Sequence, residues 1–132
     1  MEAILDSVRK QYHFWPGEEG LDAWDVDRLI RLSAGLPVIE VPLESIAELD
    51  SVYWFDETSR PTVRCVVEHA RLIAETDMQW PILLGHDGRV MDGMHRIGRA
   101  LLDGAKTIRA VRFDEAIEPD HRDCRAQYLP YD

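Results

Sequence analysis

The chain has 132 residues, 45% of them apolar, with 25 acidic against 15 basic side chains and a formal charge of -10. That length suits one folding unit burying roughly two-thirds of its unfolded surface, and the negative field makes DNA a poor partner unless basic groups gather on one face. No run approaches the ~18 apolar residues of a membrane-crossing helix, residues 1–6 lack a basic-then-apolar leader, and Cys65 and Cys124 lack ligand spacing, so the expectation is a cytoplasmic single domain over 1–132 with two reduced thiols and no membrane partner.

In chain order, residues 1–37 are expected to form a helical extension. The first dozen residues are a weak candidate for a short helix, and 11–20, with Pro16, Gly17 and several aromatics, suit a surface loop. Leu21, Trp24, Leu29, Ile30 and Leu32 recur at near-helical spacing before Gly35 and Pro37, which predicts an amphipathic helix over 22–34 lying on a sheet. A core follows over 38–113. Residues 38–43 have strand composition, with Pro42 at the end, and 44–49 suit a single helical turn. Thr58 or Ser59 offers a cap and Pro61 a first-turn residue for the next helix. Its buried stripe is expected to be Val63, Val66, Val67, Ala70, Ile73 and Ala74, with Arg64, Glu68, Arg71 and Glu75 outside.

After Asp77 the pattern shortens. Residues 80–85 are an apolar run, His86-Asp87-Gly88 suits a tight turn, and 89–92 return as a hairpin partner. Gly93 then leads into a helix marked by Met94, Ile97 and Leu101 and ending near Gly104. Residues 108–113 alternate as a strand, and the polar tail 114–132 is expected to dock as a small cap. The fold class is therefore α/β (α+β): a small mixed sheet of about four or five strands with surrounding helices.

A strand turning at glycine into a helix leaves the first N–H groups of that helix without internal partners, at the positive end of its dipole. Gly93 lets an anion approach the backbone, and His95, Arg96 and Arg99 add donors around the same turn. In so acidic a chain this basic group would focus a small anionic ligand. The plainer readings are a helix cap for Asp92, first-turn solvent exposure for His95 and Arg96 or an acidic neighbour as partner for Arg96, and dipole complementarity for Asp56 and Glu57. Tyr53-Trp54-Phe55 either stack on a base or split between core and surface. His69, His86 and His121 lack metal-ligand companions.

The order strand, turn, Asp92-Gly93, Met94-His95-Arg96, helix and closing strand resembles the core of the ParB/sulfiredoxin superfamily, over 38–113 and most specifically over 81–113. The resemblance implies a single ParB/sulfiredoxin-like domain that binds ATP, ADP or CTP, with Gly93, Met94, His95, Arg96 and Arg99 at the phosphates; separately, Arg60 and Thr62 at the start of the preceding helix are candidates for a second phosphate, since helix N-termini supply donors wherever they face a cleft. It implies catalysis by Asp92, His95 and Glu57 (or Asp56), with Mg2+ at Asp92, for nucleoside triphosphate hydrolysis or phosphoryl transfer to a small hydroxyl acceptor. Sulfiredoxins carry Gly-Cys-His-Arg here; Met94 holds the cysteine's position, and a thioether supplies no thiolate, so their reaction is not expected. ParB proteins continue into a helix-turn-helix and a dimerisation segment that this chain is too short to hold, so DNA partition is not expected; a homodimer stays open. The free-serine kinases that use ADP keep an Asp-Gly followed by His-Arg. The alternative is a non-catalytic module that senses a nucleotide or supports a protein partner.

Overall fold

The computed structural model describes residues 10–57 and 59–131. Its strands are β1 (Tyr12–Pro16), β2 (Leu21–Asp25), β3 (Ile39–Pro42), β4 (Ile82–Leu84), β5 (Val90–Asp92), β6 (Thr107–Arg112) and β7 (His121–Cys124). Its α-helices are α1 (Val26–Ser33), α2 (Val63–Glu75) and α3 (Met94–Leu102). They build an α+β fold with two sheets, an antiparallel one ordered β1-β2-β7 and a mixed one ordered β3-β6-β4-β5. Among the described residues only the β4–β6 pair is parallel, and α3 lies on the chain between them. No helix of the described residues is long and apolar enough to cross a membrane.

The centre of the mixed sheet, at β4, is buried on both faces, and the two-residue period of its strands sorts the core. Ile82, Leu84, Val90, Ile108 and Ala110 pack with Met94, Ile97 and Ala100 of α3. Their alternates Leu83, Met91, Val111 and Phe113 pack with Trp24 and Leu29 on the other side. Burial on both faces is why β4 reads as a continuous apolar run rather than an alternating one. The hairpin expected around His86-Asp87-Gly88 forms: Gly85 N–H donates to Arg89 O at 2.8 Å, and Asp87 Oδ1 accepts from Arg89 N–H at 3.0 Å.

The N-terminal region departs from expectation. Residues 1–9 of the expected first helix lie outside the described residues. The segment read as a loop is β1, and the first four residues of the expected 22–34 helix belong to β2, paired from Tyr12 opposite Asp25 to Pro16 opposite Leu21. Ala23 and Trp24 are both buried, one on each face of a central strand, a pattern that helical spacing of Leu21, Trp24 and Leu29 cannot distinguish. Helix starts only where the Asp25 carboxylate accepts from Asp27 N–H at 2.9 Å. Pro16 is tolerated because β1 is an edge strand. The tail is more than a cap: β7 completes this sheet, and Tyr12 Oη donates to Pro130 O at 2.5 Å.

Three further expectations are corrected. The turn after β3 is a pair of 3-10 turns, Leu43–Ser45 and Ala47–Asp50. The cap of α2 is Thr62, whose Oγ1 accepts from Cys65 N–H at 3.1 Å, so Pro61 precedes the helix; the expected cap Thr58 lies outside the described residues. The α2 stripe is also rotated. Val63 is 83% exposed, and Val66, Val67, Ala70 and Ala74 face out, while Cys65, His69, Leu72 and Ile73 are half-buried. Close approach to α3 sets this rotation: a Cβ on Gly98 would stand 3.3 Å from Ile73 Cδ1, and Arg99 Nη1 donates to Ala74 O at 2.5 Å.

Candidate functional site

The hairpin of the antiparallel sheet and the segment before α2 stand on either side of the β5–α3 junction. Between them is a cleft of about 870 Å³. One wall is Tyr12 to Pro16 of β1 with Arg89; the other runs from Glu48 through Tyr53, Trp54, Phe55 and Asp56; the floor includes Met91 to His95. Six aromatic residues therefore surround a helix N-terminus, an arrangement suited to a ligand with a flat ring and a polar end.

Gly93 shapes this floor. It holds φ +105 and precedes α3 with no side-chain cap on the helix, so the first N–H groups of α3 start at the cleft. A Cβ there would stand 2.7 Å from Ile82 Cγ2 and 2.8 Å from an Arg96 nitrogen, so the fold itself requires glycine, independently of any ligand.

Of the residues expected at the phosphates, Gly93, Met94 and His95 line the cleft together with Asp92. Arg96 does not. Its side chain is only 10% exposed, its Nη2 donates to Asp92 Oδ2 at 3.0 Å, and its Nε is buried with no hydrogen-bond partner. It thus braces Asp92 from beneath. Arg99 turns to the other side of α3, where its Nε pairs with Asp103 at 3.0 Å while its Nη1 holds α2. Arg60 is exposed outside the cleft lining, and Thr62 serves α2 as its cap. Glu57 is exposed and does not line the cleft; its neighbour Asp56 does, with Oδ1 accepting from Ser59 N–H at 2.7 Å.

No protein family, curated protein or solved structure matches the chain. What the site can do must come from its own geometry.

Several of its members carry no sequence signal of their own. Glu48 is placed by tertiary contact, its Oε2 accepting from Val90 N–H of β5 at 2.7 Å. Arg89 stacks over the Trp15 ring at 3.9 Å and pairs with Asp87 at 2.5 Å. Burial, with Glu48 and then Asp92 nearby, pushes the Tyr53 phenol up to about 12, so it stays a neutral donor near pH 7. Burial, with Arg89 adding to it, pulls His13 down to about 4, so this wall of the cleft adds no second cation.

The aromatic triplet divides its tasks. Tyr53 and Phe55 line the cleft, whereas Trp54 also packs against the main core cluster and stacks on two histidines, His69 and His95. His69 Nδ1 and His95 Nε2 are 2.9 Å apart. Read only as a helix-face residue in the sequence, His69 is instead the partner of a cleft residue; the signal available was its place on the inward side of α2, which the valine-rich stripe outweighed. Among the described residues no group of three or more His, Cys, Asp or Glu is placed to hold a metal ion.

Proposed function

We propose that the cleft binds a nucleotide (ATP, ADP or CTP), with its base against the aromatic walls and its phosphates at the start of α3. The observation that carries this reading is the uncapped helix N-terminus at Gly93 opening into a cleft rimmed by Trp15, Tyr53 and Phe55. Backbone N–H groups at such a terminus favour anions without any arginine. The grip is therefore narrower than the motif suggests: Gly93, Met94 and His95 supply it, and Arg96 acts through Asp92. The chain order around Asp92 to Arg96 also supports a ParB/sulfiredoxin-like fold. Asp92 and His95 are the groups positioned to act on a reacting hydroxyl or water. Hydrolysis or phosphoryl transfer to a small hydroxyl acceptor is the chemistry such a site would perform, chiefly by positioning and charge stabilisation.

The carboxylates Glu48, Asp56 and Asp92 face the same cleft and repel a bare polyphosphate. Mg2+ is usually held by one or two carboxylates together with substrate phosphates and waters, so the ion enters the assay with the nucleotide, and Asp92 on the cleft floor is the carboxylate that would meet it. The test is titration of ATP, ADP and CTP, each with and without Mg2+, by calorimetry. Saturable binding weakened at least about fivefold by Tyr53→Ala or Trp15→Ala supports the reading; the loss of one base-stacking ring is worth roughly 1–3 kcal/mol. Absence of binding by all three nucleotides refutes it. Release or transfer of phosphate then separates an enzyme from a nucleotide sensor.

A further inference from the structure

α2 carries a second apolar face. At about 100° per residue, Cys65, His69, Leu72 and Ile73 fall on the half-buried side, and Val63, Val66, Val67, Ala70 and Ala74 form a contiguous arc beside it, all of them exposed. Val63, Val66 and Val67 are 83%, 48% and 57% exposed. Single exposed apolar side chains are ordinary on a protein surface, but a stripe along the whole of a 13-residue helix is not. Nor does it serve the helix itself, because β-branched valine is a weaker helix former than the lysine, glutamate or glutamine usual at exposed positions. On α3, Leu102 lies one turn beyond Gly98, on the side that meets α2, and is 72% exposed.

We propose that this face is where two copies of the chain associate, their α2 helices antiparallel about a twofold axis near the middle of the helix. The occupant is a second copy because α2 is complementary to itself in that direction. Its apolar arc is bulky at the start and small at the end, so antiparallel packing sets Val63 of one helix against Ala74 of the other and Val67 against Ala70. Parallel packing would stack valine on valine and alanine on alanine. Val63, Val67, Ala70 and Ala74 also hold the 4, 3, 4 spacing of a two-helix seam. The charged flank reads Arg64, Glu68, Arg71, Glu75, which is its own complement when reversed, whereas parallel helices would set like charges together. Arg71 pairs with Glu68 at 2.5 Å within the helix, so Arg64 with Glu75 of the second copy is the pair that fixes the orientation.

The two arginines and two glutamates of α2 cancel, which makes it a neutral face on a chain of formal charge -10, and two such chains meet here without net repulsion between the facing helices. Size sets the strength. The 13 residues give a face about 20 Å long and about 10 Å wide. That is well below the ~800 Å² per partner of a standard interface, so the dimer is weak and dissociates at roughly 100 μM. Leu72, on the opposite side of α2, lines the cleft, so association leaves both clefts open and is independent of what they bind.

Sedimentation velocity of the ligand-free full chain, from about 10 μM to about 1 mM, tests the proposal. The expected result is a shift from monomer to dimer across that range with no larger species, as a closed twofold interface requires. Val67→Asp sets two carboxylates near the axis and is expected to abolish the shift. Arg64→Glu and Glu75→Arg should each weaken association at least about threefold by bringing like charges together, and the double swap should restore it to within about twofold of wild type. All three positions are exposed, and the swaps put acid at the start of α2 and base at its end, which favours the helix. Thermal unfolding at the lowest concentration checks that each variant is folded. A wild type that stays monomeric to about 1 mM overturns the proposal. So does association that Val67→Asp leaves unchanged, which would move the contact to another surface. Single swaps without effect, or a double swap without recovery, overturn the antiparallel arrangement.

Discussion

Replacing Gly93 with alanine tests whether the β5–α3 junction is dictated by the fold or by a ligand. Two costs add. An L side chain at φ +105 is strained by about 1–2 kcal/mol. The new methyl would also lie 2.7 Å from the Cγ2 of Ile82, a fully buried residue of β4, and 2.8 Å from the buried Arg96 guanidinium. The guanidinium is the far end of a flexible side chain, but Ile82 is fully buried, and overpacking against it costs about 1–3 kcal/mol. The expected loss is roughly 2–5 kcal/mol in the absence of any ligand, a large share of the ~5–15 kcal/mol that holds a typical domain. Urea unfolding followed by tryptophan fluorescence reads it, with the midpoint falling by roughly 1 M or more. Two controls divide the terms. Gly88 has φ +86 with nothing within 4 Å of an added Cβ, so Gly88→Ala isolates the backbone cost. Gly35 has open space and no positive φ, so Gly35→Ala is expected to be neutral or to stabilise by up to about 1 kcal/mol. A Gly93→Ala protein as stable as the Gly35→Ala protein would refute the packing account and return the glycine to a purely ligand-facing role.

The remaining predictions follow from single contacts. Arg96→Ala should destabilise the protein by up to roughly 3 kcal/mol, the lower end for buried pairs because the Asp92 side chain keeps 23% exposure; thermal unfolding without ligand checks this, and an unchanged midpoint would mean that Arg96 does not brace Asp92. His13 is held neutral in the fold at about 4 against 6.5 in the unfolded chain, so the unfolded state binds more protons between those values. Its contribution is complete above about pH 6.5 and is lost as pH falls toward about 4, a total of roughly 3 kcal/mol; His13→Gln should flatten the difference in unfolding free energy between about pH 7 and pH 5. Val67→Ser, on the outward side of α2, should change stability by no more than about 0.5 kcal/mol, whereas a loss above about 2 kcal/mol would restore the valine stripe as a buried face.

The sequence was most legible where a local rule had one solution. The Asp-Gly turn at Asp87-Gly88 and the glycine between β5 and α3 each leave few backbone alternatives, and β4 to β6 appear where the pattern put them. It misled where one spacing fits two outcomes. Leu21, Trp24 and Leu29 satisfy helical periodicity, yet Ala23 and Trp24 sit on opposite faces of a strand. On α2, valines at helical spacing outscored Cys65, His69 and Leu72, although the latter face α3. Arg96 and Arg99 were both read as anion donors because charge at a helix start is visible in the sequence, while the direction of each side chain is not.

By itself, then, the sequence determined the junction at Gly93: φ, chain direction and helix polarity are local properties, and they place the first N–H groups of a helix at one point. Tertiary structure decided what surrounds that point. The pairing of β1 with β2 raises an aromatic wall, Val90 N–H fixes Glu48, Arg96 sinks beneath Asp92, and α2 brings His69 against His95 under Trp54. Apart from the Asp92–Arg96 pair, four positions apart, these contacts join separate elements, as far as 42 positions apart for Glu48 and Val90, and such pairings are set by how the core closes rather than by any local propensity.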